Sequence, residues 1–308
     1  MDLGIILSTF ARALAFSTPL LWASLGEIYT ERSGVVNLGV EGMMILGAVT
    51  GFITAQNTGS PWLGLLVAAA VGASAALLHA FIAITLRANQ YISGLAITIF
   101  GVGLSGLLGR NYVGKPLSNS FNSFDVPLLS KIPIIGPAIF SDQFLLTYLG
   151  IIVAILLWLF LYKTEPGLSL RSVGESPVAA DVAGLNVTKI RYFAVVFGGM
   201  MAGIAGAYLS LAYRPSWGEN TTNGMGWIAL ALAIFSLWDP IKAILASFLF
   251  GAFFTLSFRL QNIFPPELLV MMPYVFTIIA LIVVAISKGN RAFGAPEALG
   301  LAYKRGER

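Results

Sequence analysis

Residues 144–162 run without a single charged side chain, and long apolar stretches of this kind recur along most of the chain. A soluble core can bury such a stretch only if enough polar surface remains to cover it. That surface is scarce here, because 57% of the 308 residues are hydrophobic and 10% are charged. A bilayer's hydrocarbon layer is about 30 Å thick, so a helix rising about 1.5 Å per residue crosses it with about 20 mainly apolar residues. A helix also satisfies its backbone N–H and C=O groups within the segment, as lipid requires. The predicted fold class is all-α, a polytopic membrane helical bundle forming one transmembrane domain over 1–308.

The apolar windows fall at 3–25, 38–55, 62–86, 92–108, 144–162, 192–213, 225–238, 241–258 and 268–287, which predicts about nine spans. The window at 225–238 is short for a full crossing, and Pro240 follows it at a tight turn. Broken or re-entrant pieces packed inside protein are therefore expected.

Lys and Arg near span ends are retained in the cytoplasm. With the C-terminus inside, Arg32, Arg87, Lys163, Arg171, Lys189, Arg191, Lys242, Lys288, Arg291, Lys304, Arg305 and Arg308 are cytoplasmic. The other side holds Arg12, Arg110, Lys115, Lys131, Arg214 and Arg259, so the 18 basic residues divide 12 to 6. Nine spans then put the N-terminus outside. Met1 and Asp2 give no basic leader region and Arg12 interrupts the first apolar run, so the first window reads as a retained span. The net charge of +4, from 18 basic and 14 acidic residues, lies mainly on the cytoplasmic side in this reading. No basic face of the kind nucleic acid needs is present.

Three stretches lie between spans. Residues 109–143 carry Pro116, Pro127, Pro133 and Pro137 among Ser, Asn and Gly, an extracytoplasmic loop with short interfacial helices in VPLLS and IPIIGPAIF. Residues 288–308 form a polar cytoplasmic tail, expected to be partly disordered. Residues 169–187, SLRSVGESPVAADVAGLNV, are a cytoplasmic island of small, helix-friendly residues. Within the spans, Gly47 with Gly51, and Gly199 with Gly203 and Gly206, have the spacing that lets helix backbones approach closely.

Several chemistries are missing. The sequence has no phosphate loop ending in Lys-Ser or Lys-Thr, no HExxH, no GxSxG and no cysteine. A lone His79 cannot build a metal cluster and reads as a hydrogen-bonded core histidine. An enzyme is not expected, and neither a metal nor a cofactor is expected in this chain. What remains is polar groups at membrane depth, where an ionisable side chain costs at least about 2.5 kcal/mol on insertion scales. They are densest in GEIYTERSGVVNLGVEGMMILGA, residues 26–48, where Glu27, Glu31, Arg32, Asn37 and Glu41 interrupt two spans and Gly34 and Gly39 let the backbone turn. An Arg32–Glu41 ion pair fixing the bend is one expectation, and a lining role on a solute route is the other.

That segment and the later RSVGESPVAADVAGLNVTKIRYFAVVFGGMMAGIAGAY together resemble the membrane permease subunits of ABC importers of the ribose and branched-chain amino acid type. The resemblance runs over most of the chain and is closest to the nucleoside, guanosine-type branch. Its E-x-S-G-x-x-N-L-x-x-E-G-x-M pattern stands here as Glu31, Ser33, Gly34, Asn37, Leu38, Glu41, Gly42 and Met44. Relative to ribose-type members one N-terminal span is missing. Phe235, Trp238 and Asp239 also replace a glycine-rich stretch, which favours pairing with a non-identical second permease.

The resemblance implies a permease dimer around a central pathway, in a bacterial-type plasma membrane. A separate ATP-binding subunit would carry ATP and Mg, and an extracytoplasmic substrate-binding protein would deliver the solute. It also implies a coupling helix within 176–183, with Ser176 as N-cap, Pro177 in the first turn and Gly184 ending it. The expected contact set is Gly174, Glu175, Ser176, Pro177, Ala179, Ala180, Asp181, Ala183 and Gly184. The alanines would give a small surface, and Glu175 and Asp181 would meet basic residues of the ATPase. For a nucleoside, the pathway candidates are Asn37, Glu41, Asn89, Gln90, Ser93, Thr98 and Phe100, with helix capping as the alternative for Asn89, Gln90 and Ser93. Simple sugars are the alternative cargo. The alternative class is an ion-coupled secondary transporter using acids such as Glu41.

Overall fold

The computed structural model describes residues 3–261, isolated positions between 264 and 286, and residues 294–306. Its α-helices are α1 (Leu3–Arg32), α2 (Val40–Thr58), α3 (Pro61–Ala80), α4 (Gln90–Gly109), α5 (Leu145–Lys163), α6 (Glu165–Glu175), α7 (Pro177–Val182), α8 (Val187–Tyr208), α9 (Met225–Phe235) and α10 (Pro240–Leu260). Single π-helical turns extend α3 over Phe81–Thr85 and α8 over Leu209–Tyr213. Among the described residues, extended pairing is limited to isolated bridges such as Val113 with Trp217. The chain is all-α.

By length and composition, 6 helical segments can cross a membrane: Ile6–Arg32, Pro61–Thr85, Gln90–Tyr112, Leu145–Lys163, Val187–Tyr213 and Pro240–Leu260. The expected number was about nine, and the difference has identifiable causes. α2 carries Glu41, Gln56 and Asn57, and it is buried continuously from Val40 to Val49, so it needs no lipid-facing apolar surface. α9 has only 11 residues. The window 268–287 lies mostly outside the described residues.

α8 packs against α1, α2 and α3 at the centre of the molecule. A methyl group at Gly47 would collide with the backbone of Gly203, and one at Gly203 would collide with the carbonyl of Ala68. Glycine is therefore required where α2, α3 and α8 cross, and close backbone packing replaces a hydrophobic driving force that lipid does not supply.

Pro19 stands inside α1 and cannot donate to the carbonyl four residues earlier. That carbonyl belongs to Ala15, and the buried Tyr208 hydroxyl of α8 donates to it at 2.9 Å. A missing helix bond thus becomes a crosslink between α1 and α8.

Two helix breaks point into the bundle from opposite ends. Residues 33–39 connect α1 to α2 at the end of the molecule that also carries α6, α7 and residues 294–306, here termed the basal end. Residues 214–224 connect α8 to α9 from the distal end. Positive φ values at Asn220 (57°), Asn223 (44°) and Gly224 (80°) mark this second break.

Residues 109–143 on the distal side contain short helical turns at Arg110–Tyr112, Leu129–Lys131 and Gly136–Phe140, the last two on the pieces expected to be short helices, and their prolines keep these turns from propagating. This loop is held down by backbone bonds such as Leu117 N–H to the Pro215 carbonyl at 2.9 Å. Part of the tail is bonded to the basal end, while residues 301–306 are mostly exposed. Ala298 N–H donates to the Gly174 carbonyl at 2.9 Å and Gly300 N–H to the Gly34 carbonyl at 3.1 Å. The buried Arg191 guanidinium joins the same assembly, donating to the carbonyls of Ser33 (3.1 Å) and Leu301 (3.0 Å). Residues 288–293 and 307–308 lie outside the described residues.

Candidate functional site

The break at 33–39 leaves backbone groups without helical partners inside the protein, and side chains from three helices satisfy them. Gln90 Oε1 accepts from Val36 N–H at 2.8 Å, and Thr98 Oγ1 donates to the Leu38 carbonyl at 2.8 Å. His79 Nε2 meets the Val36 carbonyl at 3.0 Å, and Nδ1 meets Ser93 Oγ at 3.0 Å. Because a carbonyl only accepts, the proton sits on Nε2 and Nδ1 accepts from serine. Glu27 Oε1 accepts from Asn37 N–H at 3.3 Å, and Asn37 Oδ1 accepts from Gly39 N–H at 2.9 Å. His79 is therefore the hydrogen-bonded core histidine that the sequence suggested.

Most of the predicted pathway candidates are thus brought together, but as braces for this break. Asn37, Gln90, Ser93 and Thr98 are buried and bonded to the segment or to the histidine that holds it. Asn89 caps α4, its Oδ1 accepting from Tyr91 N–H at 2.9 Å and Ile92 N–H at 3.1 Å. Phe100 is 58% exposed on the outer face of α4, away from the bundle interior. The buried stripe of α4 runs through Ser93, Ile97, Gly101 and Ser105, and Phe100 lies outside it.

The expected Arg32–Glu41 pair does not form. Arg32 points to the basal end, where it donates to the carbonyls of Trp238 (3.1 Å), Leu237 (3.3 Å) and Gly294 (3.2 Å) and to the Tyr162 hydroxyl (3.2 Å). These bonds hold a turn in which Leu237 and Trp238 both have positive φ, 56° and 54°. Glu31 accepts from the Trp238 indole N–H beside it.

Glu41 instead reaches the start of α9. Its carboxylate accepts from Thr222 Oγ1 at 2.5 Å, Gly224 N–H at 3.0 Å and Gly226 N–H at 2.6 Å. The carboxylate satisfies N–H groups that α9 leaves free at its first turn and complements the positive end of its dipole. Gly226 is required there, since a methyl group on it would lie 2.5 Å from Glu41 Cα.

Next to this contact, a cavity of about 300 Å³ lies on the distal side, between α1, α8, α9 and α10. Phe16, Tyr213 and Phe254 form an aromatic wall, and Thr221, Asn223 and Gln261 contribute polar groups. Arg214 at its rim lies over the Tyr213 ring, 6.0 Å from the centroid.

At the basal end, α7 spans Pro177–Val182 between the expected caps. Ser176 Oγ accepts from Ala179 N–H at 3.3 Å, and Gly184 has φ 89°. Its faces differ from expectation. Ala180 is 4% exposed and packs with Val173 and Val187, so it supplies no docking surface. Gly174 is likewise buried, its Cα hydrogens against the backbone of Arg32. Asp181 pairs within the chain with Arg305 at 3.3 Å. Desolvation, and then the adjacent Asp181 carboxylate, raise the Tyr303 phenol above its ordinary pKa. The exposed residues are Glu175, Ser176, Val178, Ala179, Val182, Ala183 and Gly184, with Val182 at 85%.

Residues 9–281 match the sequence profile of a family described as branched-chain amino acid transport system / permease component. The chain belongs to this permease family. Among similar proteins, the nucleoside ABC transporter permease protein NupC of Lactococcus lactis is 39% identical over 307 residues, 95% of each chain. The guanosine ABC transporter permease protein NupQ of Bacillus subtilis is 38% identical over 324 residues, 100% of each chain. A protein of Haloferax volcanii, provisionally named a glucose ABC transporter permease, is 37% identical over 314 residues, 94% of this chain and 95% of its own. No solved structure matches the permease.

Two groups of residues in the permease escaped the sequence reading. Val178 and Val182 are apolar residues at helical spacing in a polar island, a signal that was available, although only packing reveals which face of α7 points outward. Thr222, Gly226 and the cavity lining carried no local signal, because their meaning depends on contact with α2 and α1.

Proposed function

We propose that this chain is one of two membrane subunits of an ATP-driven importer and carries a nucleoside delivered by an extracytoplasmic binding protein. The observation that carries this reading is near-full-length similarity, at 38% and 39% identity, to permeases named for guanosine and nucleoside transport. α7 supports it as well, since a short capped helix with Val178, Ala179, Val182 and Ala183 on one exposed side suits a groove on a separate ATP-binding subunit. That subunit would hold ATP and Mg, and this chain would have no hydrolytic step of its own.

In this reading the basal end is cytoplasmic, the distal end is extracytoplasmic, and the membrane is a bacterial-type plasma membrane. α2, α9 and the window 268–287 bring the number of membrane segments to nine. Glu175, Ser176, Ala179, Ala183 and Gly184 remain contact candidates, with Pro177 setting the start of the helix. The second permease is non-identical, consistent with Phe235, Trp238 and Asp239 breaking the glycine-rich pattern of the ribose-type relatives. Simple sugars are the second reading, favoured by the Haloferax relative named for glucose transport.

Uptake competition separates the two cargoes. With the complete importer in vesicles, unlabelled nucleosides should suppress labelled guanosine uptake, while ribose, glucose and free purine bases should leave it unchanged. Suppression by glucose or ribose alone would replace the nucleoside with a sugar.

A further inference from the structure

Residues 221–226 are divided between two neighbours. Thr221, Asn223 and Met225 line the distal cavity, whereas Thr222, Gly224 and Gly226 give their donors to Glu41. The cavity floor is thus the first turn of a helix whose free N–H groups already hold a carboxylate of the protein. Broken helices in transporters commonly direct such N-termini at an anionic group of the solute. Here that position is filled from behind by α2.

The rest of the lining fits an uncharged ring. Phe16 stacks on Phe254 with centroids 4.7 Å apart and meets the Tyr213 ring edge-on at 5.8 Å, giving flat apolar walls. Asn223 and Gln261 supply neutral amide donors and acceptors on the polar side, while the Thr221 hydroxyl donates to the Gly218 carbonyl and offers only an acceptor. Arg214 is the one formal charge among the lining residues; it is exposed at the rim, where water and salt screen it. Glu41 is buried, and its field reaches the cavity floor through protein of low polarisability, where screening is weak.

We infer that the cavity is a solute site on the permease and that Glu41 sets its charge preference. By occupying the α9 N-terminus, Glu41 admits a neutral ring-bearing solute such as a nucleoside and rejects solutes that carry their own carboxylate or phosphate. This rests on the transport reading above and adds the site and its charge selection.

The chain contains no cysteine, so Asn223→Cys gives it a single thiol, in the cavity, whose labelling is read on this chain after separation from its partners. In the assembled importer, guanosine should slow labelling at position 223 by a neutral thiol reagent, and guanosine 5′-monophosphate should not. A sulfonated reagent should label more slowly than the neutral one. Adding Glu41→Gln should raise the sulfonated-to-neutral rate ratio about tenfold and let the monophosphate protect.

Thr222→Val removes one donor to Glu41 and leaves the carboxylate in place. With less of the Glu41 charge offset by donors, this variant should lower the same ratio, and it carries the test if Glu41→Gln fails to assemble. An unchanged ratio in the assembled variants would overturn the role of Glu41, and absence of guanosine protection would overturn the cavity. ATP-driven uptake measured on the same preparation separates the two readings. Guanosine uptake without protection sinks the site and leaves the transport function standing. Protection by a sugar in place of guanosine, with sugar uptake, changes the cargo and keeps the site.

Discussion

Tyr208 shows how one residue's role can depend on a gap elsewhere in the chain. Its hydroxyl donates to the carbonyl that Pro19 leaves free, in a place with no water to take over. Tyr208→Phe should therefore destabilise the protein by about 1 kcal/mol, the scale of a buried hydrogen bond, read as a lower melting temperature in detergent. In a Pro19→Ala background, where residue 19 regains its N–H, the same substitution should cost clearly less. Equal costs in both backgrounds would mean that the hydroxyl does not serve this carbonyl. At this scale the sequence identified important residues but not their partners. Asn37, Gln90, Ser93 and Thr98 stand out as polar groups at membrane depth, yet their bonds go to a backbone break, or for Ser93 to the His79 that braces it, which no local pattern specifies. Glu41 and Thr222 are 181 residues apart, and nothing in either neighbourhood names the other.

The helices divide in the same way. The caps of α7 were legible, because Ser176, Pro177 and Gly184 act within their own few residues. Its outward face was not, because Ala180 is turned inward by Val173 and Val187. Val182→Glu should abolish co-purification of an ATP-binding subunit while the permease still inserts. Ala180→Glu should lower the melting temperature of the permease, since it forces a charge into a packed contact. If the Val182 variant retains both the subunit and transport, the docking face lies elsewhere.

The glycine pattern that predicted close packing is matched by the α2, α3 and α8 crossing, and it yields a paired test. Gly203→Ala should destabilise by about 1–3 kcal/mol through overpacking, because the new methyl meets the Ala68 carbonyl. Gly103→Ala, with nothing within 4 Å of the new methyl, should be neutral or slightly stabilising. Comparable losses at both positions would refute the packing account.

At the scale of the whole molecule, the basal end is one connected unit. Residues 294–306 join Gly34, at the first break, to Gly174 at the end of α6 and to Asp181 in α7, and Arg32 and Arg191 close the same assembly from within. α7 and the break that leads to Glu41 are thereby held in one bonded unit. Composition had marked the chain as a membrane bundle, because apolar runs of this length admit little else. The interior α2 and the short α9 could be seen as irregular spans, whereas their meeting at Glu41 depends on long-range packing.

The central claim is that this chain translocates a nucleoside using energy released on another subunit. Its most direct measurement is uptake of labelled guanosine by proteoliposomes holding both permeases, the ATP-binding subunit and the binding protein, each omitted in turn. Uptake should require ATP and every component, and it should be indifferent to collapse of the ion gradients. Uptake that continues without the ATP-binding subunit and stops when an ion gradient is dissipated would contradict the account.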